Sequence, residues 1–355
     1  LPNKTEMSNV GETQENDEDM KRGSFRAPSR QNKRKKTRPS KSEPLVPIGT
    51  SIQQKFRLIE VIGAGGYGQI LKAYWKDEKI HVAVKIMPKR IEPQRMILEQ
   101  RILYAVQNKP NFPYLFASGS VGDQYMFLVM ELLGKSLSDL RKKCEGKRLE
   151  PPTAIRVSLQ VLEALRIFHE IGYVHRDIKP GNLCIGYAPN TWKTIYLLDF
   201  GLSRKYKDMN GLVIKRKVSG FRGTARYASI NVHNKMDQTP TDDLISLFYS
   251  TIELSEGSLP WTKLIVSEEM GQKKAACKMT DLCKQQPEQL YDFYTLCYET
   301  KDPDHPDYTK LQAILTKCLP KGCEEGPMSY EAVLGVAEAC PGSTNVTVEP
   351  TEAAE

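Results

Sequence analysis

The chain of 355 residues is long enough for one large domain or two small ones. Hydrophobic residues make up 40% and charged residues 26%, a balance typical of globular proteins. No run of about 18 apolar residues predicts a transmembrane helix, and no signal peptide is expected. The eight cysteines form no C-x-x-C pair and do not cluster with the five histidines. We therefore expect reduced thiols, no zinc site, no membrane partner and a cytoplasmic location, with the nucleus as the alternative.

Residues 1–52 are polar and lack apolar periodicity, which predicts a disordered basic tail. Eleven Lys or Arg and seven Asp or Glu in residues 1–50 contribute +4 of the net charge of +8. The densest basic run, at 33–38, is interpreted as a solvated linker, with a nuclear-import or polyanion-binding patch as the alternative. Because no aromatic pattern for base stacking accompanies this run, nucleic acid is not an expected partner.

From Phe56 onward, short β-branched runs separated by turn residues predict an antiparallel meander. A segment with apolar residues at helical spacing interrupts the strands. The predicted strands are 56–62, 70–75, 81–86, 116–121 and 125–130, and the predicted helix is 93–107.

After Gly134 the pattern becomes helical, with predicted helices at 153–171, 242–253 and 287–299. A strand-rich part followed by a helix-rich part is an α+β arrangement. The predicted domain spans 53–325, with a small antiparallel-sheet lobe that includes one helix (53–133) and a larger helical lobe (134–325). Residues 326–355 are predicted to form a C-terminal extension with a disordered end.

A glycine-rich loop, Gly63-Ala64-Gly65-Gly66-Tyr67-Gly68, follows the first long strand. Glycines allow the backbone to lie close to phosphates, so that amide N–H groups face the anion. The dinucleotide-binding motif requires a helix after such a loop, whereas a strand follows here, so that reading fails. By itself the loop is a weak signal, because glycine-rich hairpins are common.

Lys85 ends the apolar run His81-Val82-Ala83-Val84-Lys85. A buried ammonium is costly without partners, and both phosphates and a carboxylate would supply them. Glu99, on the predicted helix, is the expected carboxylate. The alternative is a lysine whose ammonium extends to the surface.

The run His175-Arg176-Asp177-Ile178-Lys179-Pro180-Gly181-Asn182 indicates phosphoryl-transfer chemistry. Asp177 can accept or orient a hydroxyl proton, Lys179 can neutralise charge on the transferred group, and Asn182 can hold Mg²⁺. Asp199, in Leu198-Asp199-Phe200-Gly201, ends an apolar strand just before a turn, which suits metal binding.

Together these motifs resemble those of the eukaryotic protein kinases, over roughly residues 53–320. Finer features resemble the casein kinase 1 superfamily, and within it the tau-tubulin kinase-like branch. Most kinases carry Ala-Pro-Glu where this chain has Ser229-Ile230-Asn231. The other features are Met130–Gly134, Gly220–Ala228, Asp242–Leu244 and Leu259–Trp261.

The resemblance implies a bilobal kinase fold, ATP and Mg²⁺ as cofactors, and transfer to serine or threonine of protein substrates. Catalytic roles fall to Asp177, Lys179 and Asn182, and the Mg²⁺ ligands would be Asn182 and Asp199. Thr224 would bridge Asp177 and Lys179. The residues expected to bind or position the nucleotide are Ile62, Gly63, Gly65, Gly66, Gly68, Ile70, Ala83, Lys85, Glu99, Met130 (as gatekeeper), Glu131, Leu133, Cys184 and Asp199.

Relatives of casein kinase 1 often prefer acidic or already phosphorylated substrates. The resemblance therefore implies a substrate anion site at Arg226 and Lys263, helped by Lys273 or Lys274. The alternative is that Arg226 only braces the activation segment. A catalytically impaired pseudokinase scaffold is the alternative function, although Lys85, Asp177, Asn182 and Asp199 are all present. A monomer is assumed.

Overall fold

The computed structural model describes residues 43–334, apart from 67, 215–219 and 285. The basic run at 33–38 and the end of the predicted C-terminal extension lie outside the described residues. None of the helices within the described part of the chain combines the length and the apolar character needed to cross a membrane.

A six-stranded antiparallel sheet forms the small lobe, in the order β1-β2-β3-β4-β6-β5. One helix, α1 (Pro93–Ala105), packs against it. The predicted small lobe is confirmed, and each predicted strand lies within an observed one. The strands are β1 (Ser51–Ile52), β2 (Phe56–Gly65), β3 (Gly68–Trp75), β4 (Ile80–Pro88), β5 (Leu115–Val121) and β6 (Tyr125–Glu131).

Residues 43–52 adopt defined structure, although the sequence pattern predicted disorder for this part of the tail. Val46 is 4% exposed and packs into the core of the small lobe. The amide of Gln69 on β3 holds the segment, since its oxygen accepts from Leu45 N and its nitrogen donates to Glu43 O, both at 2.7 Å. The side-chain amide of Gln69 thus holds residues 43–45, which precede the ladder that β1 forms with β2.

Strand β4 positions the residues that face the interlobe cleft. Val82, Val84 and Ile86 alternate along it and pack into the core of the small lobe. Because side chains along a strand point alternately to opposite faces, Ala83 and Lys85 lie on the other face, towards the cleft and α1. The strand pairs with β3 on one side and β6 on the other, and it is largely buried on both faces.

The large lobe is mainly helical, which confirms the predicted α+β class. Short strands line its cleft side: β7 (Leu133–Ser136), β8 (Tyr173–Val174), β9 (Leu183–Gly186), β10 (Ile195–Leu197) and β11 (Arg204–Lys205). The helices are α2 (Leu137–Lys143), α3 (Pro151–Glu170), α4 (Ile230–His233), α5 (Pro240–Glu256), α6 (Ser267–Ala275), α7 (Met279–Leu282), α8 (Gln289–Tyr298) and α9 (Tyr308–Lys317).

Helix α5 is buried from Pro240 to Ser255 and forms the centre of this lobe. Small hydroxyl residues allow α3 to approach it closely, and their polar groups stay satisfied inside the helix. Ser250 Oγ, for example, donates to Ser246 O at 2.8 Å, and Thr251 Oγ1 lies 2.6 Å from Ser158 Oγ of α3. Buried hydroxyls bonded to the preceding turn leave no orphan polar atom.

The predicted C-terminal extension begins with a segment packed against the large lobe. Met328 and Tyr330 are 2% and 0% exposed, and Tyr330 Oη donates to Trp192 O at 3.0 Å. Met328, Tyr330 and Leu334 thus join the same core as α3 and α5.

Candidate active site

The glycine-rich loop is the hairpin between β2 and β3, with Gly65 paired to Gly68 and Gly63 to Ile70. A Cβ at Gly68 would lie 2.2 Å from Ile86 O, so packing requires glycine there. At Gly65 and Gly66, by contrast, an added Cβ would meet no described atom within 4 Å. Protein packing does not account for those two glycines, whereas close approach of the backbone to a phosphate would. Tyr67 lies outside the described residues.

Lys85 joins the sheet to α1. Its ammonium donates to both carboxylate oxygens of Glu99, at 2.8 and 2.6 Å, and lies 3.5 Å from Asp199 Oδ1. Burial alone would lower the pKa of Lys85, but the charges of Glu99 and Asp199 outweigh it and raise the pKa above its usual value. The lysine therefore carries a fixed positive charge beside the glycine-rich loop, where the sequence predicted phosphate contacts.

Asp177, Lys179 and Thr224 form a compact hydrogen-bonded triangle. Lys179 Nζ donates to Asp177 Oδ2 at 2.5 Å and to Thr224 Oγ1 at 3.0 Å, while Thr224 Oγ1 donates to Asp177 Oδ1 at 2.7 Å. Asp177 is 6% exposed. A carboxylate positioned to accept a proton is therefore held beside a cation.

Asn182 and Asp199, the predicted Mg²⁺ ligands, place oxygen atoms at the same end of the cleft. Asn182 Nδ2 donates to the backbone and side chain of Asp177, at 2.9 and 3.2 Å, which leaves its amide oxygen as the free polar atom. The side chain of Asp199 is 49% exposed. Burial of the carboxylate would raise its pKa, but Lys85 and other nearby cations hold the pKa of Asp199 below its ordinary value. One carboxylate and one amide oxygen fit Mg²⁺, which prefers few protein ligands plus phosphate and water.

The wall expected to contact adenine comes from both lobes. Ala83 of β4 and Cys184 of β9 are 7% and 9% exposed, and Met130 pairs with Ala83 across the sheet. Glu131 N donates to Tyr114 O at 2.9 Å, so this amide hydrogen is already used within the protein. Leu133 begins β7, which follows the small-lobe sheet directly. Ile62 and Ile70 lie on β2 and β3, next to the glycine-rich loop.

Asp243 of α5 anchors the loop of residues 175–182, which we call the catalytic loop. Sequence reasoning did not assign this role. Its carboxylate accepts from His175 N at 2.6 Å, Arg176 N at 2.8 Å and His169 Nε2 at 2.9 Å. Arg176 has a positive φ of 71°, a strained backbone state that needs support. Burial alone would raise the pKa of Asp243, but the histidines and the His175 amide hold it below the usual value. The only sequence signal was the pair Asp242-Asp243 at the start of an otherwise apolar helix.

Replacing Asp243 with asparagine should destabilise the fold by about 2–4 kcal/mol, because the amide would turn an N–H group towards buried donors. The free energy of unfolding in urea measures the change. Asp123→Asn, in the exposed turn between β5 and β6, is the matched control and should change stability by less than about 0.5 kcal/mol. An unfolding midpoint of Asp243→Asn equal to that of the control would contradict this role.

An aromatic cluster supports Asp199 from inside the large lobe. Phe200 is 1% exposed, and its ring centre lies 5.5 Å from those of Phe168 and His175 and 6.1 Å from that of Phe112. Four rings at these distances pack favourably and fix the turn that carries Asp199. The contact between Phe112 and Phe168 was not predicted, because it depends on the fold and not on local spacing.

Arg176 contacts the backbone that follows Asp199. Its guanidinium donates to Leu202 O at 2.6 Å and to Ser203 O at 3.5 Å. Gly223 closes the other side of this loop: its φ is +100°, and an added Cβ would lie 2.2 Å from Arg176 O. Arg176 thus contacts the chain both just after Asp199, at Leu202 and Ser203, and further on, at Gly223.

Arg226 and Lys263, the residues predicted to form the substrate anion site, occupy different environments. Arg226 donates to Glu253 Oε1 at 3.1 Å and to Thr262 O at 3.4 Å, while 35% of its side chain stays exposed. Glu253 is 2% exposed and also accepts from Tyr227. Lys263 is exposed and has no described hydrogen-bond or ion-pair partner. Arg226 therefore ties its own backbone segment to Glu253 and Thr262, and about a third of its side chain is still exposed. The ammonium of Lys263 is exposed to solvent.

Comparison with known proteins agrees with this geometry. The family model for the protein kinase domain matches residues 56–331. A Caenorhabditis elegans protein named "Putative casein kinase I" is 39% identical over 293 residues, which cover 80% of this chain and 85% of that protein. A Dictyostelium discoideum protein named "Probable serine/threonine-protein kinase" is 36% identical over 271 residues, which cover 76% of this chain but 54% of that protein. The predicted placement in the tau-tubulin kinase-like branch stays a prediction. The chain belongs to the protein kinase family, as a casein kinase 1-like serine/threonine kinase.

Proposed function

We propose that this chain transfers the γ-phosphate of ATP to serine and threonine hydroxyls of proteins, and that it favours targets flanked by acidic or phosphorylated residues. The observation that carries the proposal is the triangle of Asp177, Lys179 and Thr224, with contacts of 2.5–3.0 Å. The triangle holds the buried carboxylate of Asp177 beside the ammonium of Lys179. Lys85, on β4 of the small lobe, lies on the other side of the interlobe cleft.

The triangle supports a specific division of work. Asp177 orients the substrate hydroxyl and accepts its proton as the oxygen attacks the γ-phosphorus and the bond to ADP breaks. Lys179 neutralises the charge that develops on the transferred phosphoryl group. Thr224 keeps the two side chains in register. Tyrosine kinases usually replace this lysine, so the pair Lys179 and Thr224 supports serine and threonine as acceptors.

The nucleotide would be held by groups in both lobes. Lys85, locked by Glu99, would contact the α- and β-phosphates, and the amides of the glycine-rich loop would cover them. Asn182 and Asp199 would hold Mg²⁺, whose charge would offset that of the phosphates during transfer. A pseudokinase scaffold would be expected to lack part of this set. All of these residues are present, and Lys85 is joined to Glu99 at 2.6 Å.

Charge on the substrate side supports the preference for acidic targets. Arg226 exposes part of a guanidinium that can pair with a carboxylate or phosphate in a bidentate fork. Lys263 and Lys273 are exposed. Phosphate carries nearly two charges at pH 7, so a phosphorylated residue should gain more than a carboxylate.

A peptide array tests the preference directly. Serine peptides of one core sequence would carry glutamate, phosphoserine or glutamine at each flanking position, and initial rates would be compared. The proposal expects the order phosphoserine, glutamate, glutamine at one or more positions. Equal rates for all three sets would remove the acidic preference and leave the kinase activity standing.

Reversing the charge of Lys263 should weaken binding of acidic peptides. We expect Lys263→Glu to raise KM for a glutamate-flanked peptide about three- to tenfold, since exposed ion pairs contribute modestly, and to leave KM for ATP unchanged. The effect should shrink as ionic strength rises, because exposed charges are screened. Steady-state kinetics on paired acidic and neutral peptides measure it, with Lys317→Glu on α9 as the control. If Lys263→Glu keeps the wild-type acidic-to-neutral ratio, Lys263 is not part of the anion site.

We also expect activity without phosphorylation of the activation segment. Many kinases need a loop phosphate to pair with the arginine of the His-Arg-Asp motif, but Arg176 already donates to Leu202 O and Ser203 O. Enzyme produced in bacteria and treated with phosphatase should keep at least about half of its initial rate. An enzyme that works only when phosphorylated on Ser203, Ser219 or Thr224 would contradict this expectation.

A further inference from the structure

Residues 224–228, which we call the substrate turn, connect the catalytic loop to the substrate side of the large lobe. The amides of Tyr227 and Ala228 donate to Thr224 O at 2.9 and 3.2 Å, so the five residues form one closed turn. Thr224 also hydrogen-bonds Asp177 and Lys179. A displacement of the turn would therefore displace a partner of the catalytic aspartate.

Lys274 of α6 holds the other side of the substrate turn. It is 4% exposed, and its Nζ donates to Ala225 O at 2.7 Å and to Ala228 O at 2.5 Å. The carbonyl between them, Arg226 O, accepts from Trp261 Nε1 at 2.7 Å. Three carbonyls of one short turn thus receive donors from two buried side chains.

Burying the ammonium of Lys274 costs free energy, because burial removes it from water and no carboxylate among the described residues neutralises it. Its Nζ lies 5.1 Å from the ring centre of Tyr249, 5.2 Å from that of Trp261 and 3.1 Å from His233 Nε2. Burial lowers the pKa of Lys274 to about 7 and, together with the charge of Lys274, that of His233 to about 4. A lysine has at least two N–H bonds whether charged or neutral, so both carbonyls keep a donor in either state.

We infer that Lys274 is a positioning residue for phosphoryl transfer: it fixes the substrate turn against α6 and thereby sets the bound peptide relative to Asp177. The sequence-based expectation placed Lys273 or Lys274 at the anion site. The structure directs the ammonium of Lys274 inward to backbone carbonyls, while the neighbouring Lys273 is exposed. The inference rests on the kinase activity of the family and not on the proposed acidic preference.

Paired variants on α6 separate positioning from general damage. With a neutral serine peptide, Lys274→Met should lower kcat/KM for the peptide about 10- to 100-fold, as misplaced reactants do, while KM for ATP stays within about twofold. Amide hydrogen exchange of the substrate turn should also quicken. Gln272→Met, two residues away on α6 and exposed, should match the wild type in every measurement. Circular dichroism checks each fold, and Lys274→Gln replaces the methionine variant if that one unfolds.

Lys274→Arg is the rescue variant. A cavity of about 190 Å³ lies beside Lys274, lined also by Tyr249, Trp261 and Tyr294, and offers room for the guanidinium. We expect Lys274→Arg to recover peptide kcat/KM to within about threefold of the wild type, because it restores donors to both carbonyls. Two results would overturn the inference: folded Lys274→Met with wild-type peptide kinetics and exchange rates, or folded Lys274→Arg as defective as Lys274→Met. Inactive wild-type enzyme would instead refute the kinase assignment itself.

Discussion

Replacing Asp177 with asparagine is expected to lower kcat about a thousandfold while leaving ATP affinity and the fold intact. The variant loses the group that we propose accepts the hydroxyl proton, and general base catalysis contributes about 10²–10⁴ to such rates. Lys179 and Thr224 donate to different oxygens of Asp177; in asparagine the remaining oxygen can still accept from Lys179, and the amide nitrogen can donate to Thr224 Oγ1. The triangle would therefore persist without its basic member.

Steady-state kinetics and nucleotide titration measure the two quantities separately. Asp123→Asn, in an exposed turn far along the chain, is the matched control and should behave as the wild type. Purified Asp177→Asn with kcat within about tenfold of the wild-type value would contradict the role of Asp177 as base.

Lys85→Met is expected to lower kcat/KM about 100- to 1000-fold, because the phosphates lose a fixed positive charge and the reacting atom loses its position. It should also destabilise the fold. Glu99 has a side chain that is 5% exposed, and without Lys85 its buried charge has lost its main partner. Lys76→Met, on an exposed lysine after β3, should change neither quantity.

The double variant Lys85→Met with Glu99→Gln separates the two effects. Removing the stranded carboxylate charge should restore most of the lost stability, measured as the free energy of unfolding, but none of the activity. If the double variant regained activity, the ammonium of Lys85 would not be needed for phosphoryl transfer, and its assignment would be wrong.

Much of the site is encoded in short segments, which is why it could be predicted from the sequence. Asp177 and Asn182 stand five residues apart on one loop, and Lys85 ends a strand whose alternation sets the face on which it lies. Helical periodicity placed Glu99 on α1, the helix that packs beside β4. Such local patterns also identified the strands of the small lobe and the long helices α3 and α5.

The supporting contacts could not be predicted, because they join residues distant along the chain. Asp243 reaches back 68 positions to the His175 amide, and Lys274 reaches back 46 positions to Ala228 O. Helix α6 was not predicted at all, since its sequence, Ser-Glu-Glu-Met-Gly-Gln-Lys-Lys-Ala, shows little apolar periodicity. Its burial comes from tertiary contacts with α4 and the substrate turn.

Residues 43–52 were predicted to be disordered, yet they adopt defined structure through contacts with residues distant along the chain. Four of these ten residues are aliphatic, namely Leu45, Val46, Ile48 and Ile52, but they show no clear periodicity, so the segment was grouped with the polar tail. One buried glutamine, Gln69, supplies both a donor and an acceptor to their backbone, and Val46 fills the core of the small lobe. These contacts join residues far apart along the chain, so local composition could not reveal them.

Phosphoamino acid analysis tests the central claim most directly. Purified wild-type chain and Asp177→Asn would be incubated with radiolabelled ATP, Mg²⁺ and casein as an acidic protein substrate, and the hydrolysed product would be separated into its phosphorylated amino acids. The account predicts phosphoserine and phosphothreonine with the wild type, and label reduced about a thousandfold with Asp177→Asn. No incorporation by the wild type, label in phosphotyrosine alone, or equal incorporation by both proteins would contradict it.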